Sequence, residues 1–450
     1  MRIDAAEALG ALPRRFGVLT ATLAVVANMI GTGVFTTTGL LVGEIGSVRI
    51  VLLAWLVGGV VALAGALSYA ELTACIPRNG GEYRLLSEVY HPAVGFIAGW
   101  VSLVVGFSAP IAASALAFGN YVHALLPGLP TKTSALLLVL LLSIGHAARV
   151  SAGARVQNAF AAGKVLLITG FIVAAMFVLP TIHLPRSGGD ACTILSPQFA
   201  TGLIFVSFAY SGWNGASYLA GEIHRPSRTL PIALGIGTGI VALLYLGLNL
   251  VFLVGTPLSK LAGTVEVGHV AAISIFGEHA GSVLSALIAL ALVSSVSAMI
   301  MVGPRVYEAM GQDYDVLRFL CVRSIGGGPI VSIGLQAGLA LLLLLTVHFD
   351  ALLMYIGYTL SVSAALTVIG VFVYRFRRPQ IPRPYRTWGY PMTPALFVAF
   401  AAWTIVYSIG ERPAGALLGL ATVALGLLFY FIVKCSGRHR PLERTEGIDS

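Results

Sequence analysis

The stretch Asn28-Met-Ile-Gly-Thr-Gly-Val-Phe35 lies inside an apolar run, residues 16–42, that is long enough to cross a bilayer. The triplet Gly31-Thr32-Gly33 falls where lipid favours an unbroken helix. Two glycines around a hydroxyl residue allow the backbone to unwind and a ligand to approach its amides and carbonyls. Because non-helical backbone in a membrane is tolerated where it lines a cavity, a break here predicts a binding site. The alternative is a small-residue face for helix packing, which needs no break.

The composition excludes an ordinary soluble domain. Of the 450 residues, 57% are hydrophobic and only 10% are charged, whereas soluble domains carry roughly 25% charged residues. We therefore predict an all-α membrane protein with about 12 transmembrane helices. The predicted spans are residues 16–43, 48–74, 93–126, 133–149, 158–180, 198–220, 230–255, 281–304, 329–347, 350–376, 392–410 and 414–434.

The distribution of basic residues predicts the orientation of these spans. If both termini are cytoplasmic, 21 of the 27 lysines and arginines fall on the cytoplasmic side, 5 fall on the opposite side, and Lys164 lies within a span. This bias obeys the positive-inside rule. We expect a multi-pass protein of the cell (inner) membrane with a cytoplasmic N-terminus, 1–15, and a cytoplasmic tail, 435–450. The net charge of +9 then follows from topology and requires no nucleic-acid partner.

Lys164 is the clearest anomaly in the apolar segments. It lies six residues into the fifth predicted span. A lysine in an apolar helix is costly and marks a functional hypothesis by default. The alternative is that Lys164, near the cytoplasmic end of its span, extends its ammonium to the membrane interface.

A second segment repeats the pattern of the first. Residues 205–217 bring serines, glycines and Asn214 into a predicted span, and two prolines with arginines follow it in 222–231. Two interrupted helices in corresponding places indicate a transporter site at an inverted-repeat interface. Spans 1–5 cover 16–180 and spans 6–10 cover 198–376, and since five is odd the halves have opposite orientation. Spans 11 and 12, 392–434, follow them.

No metal, cofactor or catalytic cluster is expected. The cysteines stand singly, the histidines are scattered, and there is no His-Glu-x-x-His motif. No nucleophile and base recur at usable spacing, so the chain is not expected to be an enzyme. The four cysteines are Cys75, Cys192, Cys321 and Cys435.

Five motifs together resemble the amino acid–polyamine–organocation superfamily, closest to the L-type amino acid transporters and their bacterial relatives. They are Ile30–Phe35, the loop Pro77–Tyr83, Arg155–Lys164, Phe208–Asn214 and Glu222–Pro231. The resemblance runs from about residue 16 to 434. It implies a LeuT-like fold of five plus five helices, with helices 1 and 6 broken at mid-membrane.

The resemblance also implies which residues bind an amino acid. Its carboxylate would meet backbone amides around Gly31, Thr32 and Gly33. Its amino group would meet carbonyl oxygens around four residues: Ile30, Phe208, Ala209 and Ser211. Helix dipoles agree with this arrangement, since half-helix N-termini favour anions and C-terminal ends favour cations. Phe208 would close over the substrate, and Asn214 would tie the unwound segment to neighbouring helices.

In the same resemblance, Lys164 stands where sodium-coupled relatives hold Na⁺ between helices 1 and 8. A cation already present disfavours Na⁺ by repulsion. We therefore expect sodium-independent transport, by exchange or proton symport, with Lys164 as the coupling residue. Residues 125–133 contain no cysteine, so no disulfide-linked heavy chain is expected.

The substrate expected from the sequence is a neutral L-amino acid. No Asp or Glu lies at mid-membrane in spans 1, 3, 6, 8 or 10 to neutralise a second substrate cation. The alternatives are a cationic amino acid or polyamine transporter whose acidic partner lies elsewhere, and an amino-acid sensor that does not cycle. A channel is disfavoured because no ring of charged residues recurs along the spans.

Overall fold

The computed structural model describes residues 16–148, 154–179, 196–411 and 413–436. The expected N-terminal segment 1–15 and most of the tail 435–450 lie outside them. The described residues form α-helices linked by short connections, with one isolated parallel β-bridge between Phe16 and Ile223.

The α-helices, in chain order, are α1 Val18–Met29, α2 Thr32–Ile45, α3 Val48–Cys75, α4 Glu82–Val89, α5 Pro92–Val101, α6 Ala109–Leu125, α7 Thr131–Ala148, α8 Ala154–Val178, α9 Pro197–Tyr210, α10 Pro226–Gly255, α11 Leu258–Leu261, α12 Val267–Phe276, α13 Glu278–Val302, α14 Pro304–Asp313, α15 Ile330–Thr346, α16 Phe349–Arg377, α17 Met392–Glu411 and α18 Pro413–Ser436. A π-helical turn, Ser102–Ser108, joins α5 to α6, and 3-10 helices cover Gly215–Glu222 and Asp315–Cys321.

Among the described residues, nine helices are long and apolar enough to cross a membrane, when α1–α2, α5–α6 and α13–α14 are each counted as continuous. They correspond to predicted spans 1–5, 7, 8, 10 and 12. Predicted spans 9 and 11 match the shorter apolar helices α15 and α17, and span 6 is divided between α9 and a 3-10 helix. The chain is therefore an all-α, multi-pass membrane protein, and the count of twelve spans stays a prediction.

An aromatic cluster fastens α3, α9 and α10 together beside the end of α1. The rings of Trp55, Tyr210 and Tyr245 are buried, with centroids 5.1–5.7 Å apart. Each tyrosine hydroxyl donates to a backbone carbonyl: Tyr210 to Trp55 at 3.0 Å and Tyr245 to Met29 at 2.5 Å. Tyr245 thus positions the last turn of α1, because its hydroxyl finds a partner there, while Tyr210 links α9 to α3.

One end of the bundle, which we call the loop face, is where residues 76–91, 222–226 and 303–329 meet. Two ion pairs cross it: Arg84 Nη1 lies 2.7 Å from Asp313 Oδ2, and Arg305 Nε lies 2.7 Å from Glu222 Oε1. These pairs are mostly shielded from solvent, so they hold the loop face closed more firmly than exposed pairs would.

Glu71, near the end of α3, is buried and receives several donors. Arg375 Nη2 and the backbone and hydroxyl of Thr387 each lie 2.7 Å from its Oε2, and Arg383, in the loop after α16, lies 3.7 Å from its Oε1. The cluster ties α3 to α16 and to the loop that follows α16.

We predict that Glu71→Gln lowers the stability of the fold by about 1–3 kcal/mol, because the remaining donors lose a charged acceptor in a buried place. The midpoint of thermal unfolding in detergent measures this. Glu88→Gln is the matched control, since Glu88 is less buried and its pair with Arg78 is long, at 3.9 Å. Equal midpoints for both variants would contradict a stabilising role for Glu71.

Candidate functional site

The first predicted interruption lies between α1 and α2. Ile30 is extended, with ψ 92°, and Gly31 follows at φ −139° and ψ −146° before α2 begins at Thr32. No side chain caps α2. The first amides of α2 therefore lack partners within the helix and carry its partial positive charge, which suits an anion.

The ammonium of Lys164 occupies the carbonyl side of this break. Its Nζ donates to Ile30 O at 2.9 Å, to Ala27 O at 3.2 Å and to Ser295 Oγ at 2.8 Å. In a continuous helix the two carbonyls would accept amides four residues onward, so Lys164 replaces hydrogen bonds that the break removes. Lys164 is 2% exposed, so its ammonium lies inside the bundle and does not reach the interface.

Ser295, on α13, completes the environment of this cation. Its hydroxyl oxygen lies 3.1 Å from both Ile30 O and Ala291 O, and it accepts from Lys164. Ser295 is not among the residues predicted from the sequence to form the site. The specific contact depends on how α1, α8 and α13 pack, which one sequence does not reveal.

The second interruption follows α9. Ser211 leaves the helix with ψ 153°, and its amide donates to Phe208 O at 2.9 Å. Gly212 has φ +95°, and a Cβ there would lie 2.7 Å from Asn28 O. Glycine is therefore required both by the backbone conformation and by the closeness of α1. The chain resumes as the 3-10 helix Gly215–Glu222.

The two interrupted segments pack directly on each other. A Cβ on Gly33 would lie 2.3 Å from Ala209 Cα, so the start of α2 touches the backbone of α9. Thr32 Oγ1 donates to Ser114 Oγ of α6 at 2.7 Å. Gly33 thus allows α2 and α9 to pack closely, and the hydrogen bond of Thr32 links α2 to α6.

A cavity of about 120 Å³ lies where the two breaks meet. Seven of the eight predicted binding residues line this cavity. The eighth, Ile30, does not, because its carbonyl faces Lys164 and Ser295. Lys164 also lies outside the cavity lining. Phe208 is 5% exposed and lines the cavity as well. The seven are Gly31, Thr32, Gly33, Phe208, Ala209, Ser211 and Asn214.

Glu82 also lines the cavity, and sequence reasoning missed it. The argument that no carboxylate would be available considered only the spans, whereas Glu82 begins the short helix α4 between two of them. Asn214 Nδ2 donates to Glu82 Oε1 at 3.2 Å, which joins the second break to α4. The five spans contain no carboxylate at mid-membrane, as predicted, but Glu82 reaches the cavity from outside them. The available signal was Gly80-Gly81, which lets the loop turn back into the bundle.

The fold and this geometry can be compared with known proteins. The family profile described as amino acid permease matches residues 16–429.

The chain belongs to the amino acid permease family.

Among similar curated proteins, the mouse large neutral amino acids transporter small subunit 2 is 27% identical over 442 residues, with 94% of this chain and 81% of the relative covered. The human b(0,+)-type amino acid transporter 1 is 26% identical over 445 residues, covering 94% and 88%. The mouse Asc-type amino acid transporter 1 is 24% identical over 434 residues, covering 94% and 81%. These relatives support amino acid transport and confirm the expectation of a transporter and not an enzyme.

We predict that Gly33→Ala destabilises this permease by about 1–3 kcal/mol, because the added methyl group has to displace backbone of α9. Thermal unfolding in detergent and binding of a transported amino acid measure the effect, and both should be impaired. Gly239→Ala is the control, since a Cβ at this position in α10 meets nothing within 4 Å. A Gly33→Ala protein as stable as the control would show that α2 and α9 are not so closely packed.

Proposed function

We propose that this permease carries neutral L-amino acids across the cell membrane by alternating access, without Na⁺, by exchange or proton symport. The observation that carries the proposal is the cavity between the two interrupted helices, with uncapped amides on one side and broken-helix carbonyls on the other. Such paired helix ends suit the opposite charges of an amino acid zwitterion.

In this proposal, the backbone of each break binds a different charged group of the substrate. The substrate carboxylate meets the first amides of α2, around Gly31, Thr32 and Gly33. Its ammonium meets carbonyls around Phe208, Ala209 and Ser211, while Ile30 contributes less because its carbonyl already accepts from Lys164. Phe208 then closes over the side chain.

Sodium independence follows from the ammonium of Lys164. It lies between α1 and α13, with hydrogen bonds to Ile30 and Ser295. A monovalent cation entering the same oxygen cluster would face a unit positive charge at close range, in a place screened little by water. The ammonium of Lys164 thus supplies, between α1 and α13, the positive charge that a bound Na⁺ would otherwise supply.

The proposed architecture is the LeuT-like inverted repeat, with twelve spans and both termini cytoplasmic. The first repeat, residues 16–180, and the second, 198–376, each open with an interrupted helix. The loop face then lies on the cytoplasmic side, in keeping with its arginines. The relative named as a small subunit belongs to an assembly; we expect no disulfide-linked partner here, as 125–133 lacks cysteine.

One observation favours a second candidate, transport of a cationic amino acid or a polyamine. Glu82 places a carboxyl group in the cavity lining, where a substrate's second positive charge could pair with it. The oxygens of Glu82 already accept three hydrogen bonds, which leaves them poorly disposed toward a substrate. Neutral substrates therefore remain the leading proposal.

We predict saturable counterflow of neutral amino acids in proteoliposomes. Labelled L-alanine, L-serine, L-leucine, L-phenylalanine and L-arginine are each added outside vesicles that hold the same unlabelled compound. Uptake should be greatest for a neutral substrate and unchanged when choline replaces Na⁺. A strict sodium requirement would overturn the role given to Lys164. A folded protein that moves none of the five would favour the sensor or polyamine alternatives.

We also predict that Lys164→Ala folds but loses most counterflow, because the carbonyls of Ala27 and Ile30 lose their donor and the break rearranges. Size-exclusion behaviour and initial uptake rates separate folding from transport. Lys132→Ala, at an exposed position in α7, is the control and should transport normally. Unchanged counterflow in Lys164→Ala would mean that the ammonium is dispensable.

A further inference from the structure

Glu82 is the only acidic side chain among the described residues that line the cavity. It is 3% exposed. The preceding Gly81 has φ +52°, and a Cβ there would lie 2.2 Å from the ring of Tyr218. This close approach lets the start of α4 press against the 3-10 helix Gly215–Glu222 and directs the carboxyl group of Glu82 inward.

Three neutral groups from three different segments donate to this carboxyl group. Tyr69 Oη of α3 lies 2.5 Å and Asn214 Nδ2 lies 3.2 Å from Oε1, while Ser363 Oγ of α16 lies 2.9 Å from Oε2. Two of these partners are hydroxyl groups, which can accept as well as donate. The same neighbours therefore satisfy either the ionised or the protonated form of Glu82.

No cation among the described residues compensates Glu82. Arg84, two residues further along α4, lies 2.7 Å from Asp313, and Lys164 is bound to α1 and α13. The titratable groups that face Glu82 are the phenols of Tyr69 and Tyr218. An ionised carboxylate in such a dry place is costly unless it is paired.

Burial accordingly raises the pKa of Glu82 above its ordinary value, and the hydrogen bonds from Tyr69, Ser363 and Asn214 offset only part of this rise. The raised pKa favours the protonated form of Glu82 while the site is closed to water. Lys164 differs from Glu82 in its partners, which all accept hydrogen bonds and so match the three N–H donors of an ammonium.

Glu82 also belongs to a clamp on the segment that has to move. The clamp loop, residues 77–83, holds the 3-10 helix Gly215–Glu222 through two hydrogen bonds. Gly221 N donates to Asn79 Oδ1 at 2.8 Å, and Gly80 N donates to Tyr218 O at 3.4 Å. Opening of the loop face requires these contacts to part. Water would then reach Glu82.

We propose that Glu82 is the group that carries the proton in a proton-coupled transport cycle. The inference rests on the proposed function and selects symport within it. A hydronium ion that enters the cavity from the outer side gives its proton to a carboxylate oxygen of Glu82, which becomes neutral, and a water molecule remains. When the clamp loop releases the 3-10 helix, hydration favours the carboxylate, the O–H bond breaks, and the proton leaves to cytoplasmic water.

The sign of the coupling is fixed by these two states. The closed site holds the proton at a pH where an exposed carboxyl would release it, and the hydrated site does not. An outer pH below the inner pH therefore drives substrate inward. For one proton per substrate, the accumulation limit rises about tenfold for each pH unit of gradient.

The test compares wild type, Glu82→Gln and Glu82→Asp in proteoliposomes, with Glu88→Gln as a matched control that removes a carboxyl group from the same helix. Two assays use the neutral amino acid that wild type exchanges fastest. Counterflow at equal pH measures transport itself. Uptake into vesicles without internal amino acid, acidic outside and neutral inside, measures proton coupling.

We expect wild type and Glu88→Gln to accumulate substrate under the pH gradient. Relative to its own rate of counterflow, Glu82→Gln should lose this accumulation by roughly tenfold or more, and Glu82→Asp should recover part of it. Accumulation of substrate by Glu82→Gln under the pH gradient would overturn the proposal. A wild-type protein that shows counterflow but no accumulation under the gradient would overturn it as well.

Three further outcomes would also contradict it in distinguishable ways. A folded Glu82→Gln protein without counterflow would show that Glu82 acts only through its structural contacts in the clamp. Loss of L-arginine transport alone would make it a counter-ion for a cationic substrate. Wild type without counterflow of any amino acid would remove the proposed function, and the proton role with it.

Discussion

The contact between the ammonium of Lys164 and the carbonyls of Ala27 and Ile30 is the interaction on which the site depends. A helix cannot break inside an apolar bundle unless its freed carbonyls find other donors. Lys164 supplies up to three such donors from one side chain, at 2% exposure. Because it also donates to Ser295, the break is held at a fixed position between α8 and α13.

The second break is stabilised differently, by closeness instead of charge. Gly212, in a left-handed conformation, lies against Asn28, and Gly33 lies against Ala209, so each break supports the other by backbone contact. Beyond it, the clamp loop and the pair Arg305–Glu222 hold the 3-10 helix on the loop face. The first break is thus held by the ammonium of Lys164, whereas the second is held by backbone contacts and, beyond the break, by the clamp loop and the pair Arg305–Glu222.

Much of this architecture could be predicted from the sequence. Hydropathy located most long helices, and the glycines of residues 31–33 and the lysine in an apolar helix marked the site. Glu82 was not predicted as a site residue because the local sequence pattern places it in a loop. Only the turn at Gly80 and Gly81 brings it into the bundle. The orientation of Ile30 escaped for a related reason, since a carbonyl's partner depends on how distant helices pack.

The most direct test of the site is a comparison of binding by a transported amino acid, its amide and its N-acetyl derivative, measured by calorimetry on the purified protein. Recognition by the amides of α2 and the carbonyls after α9 requires both charged groups of the substrate. We predict that each derivative binds more weakly by more than about tenfold, as expected when a charged group loses its partners. Equal affinity for the amino acid and either derivative would contradict it.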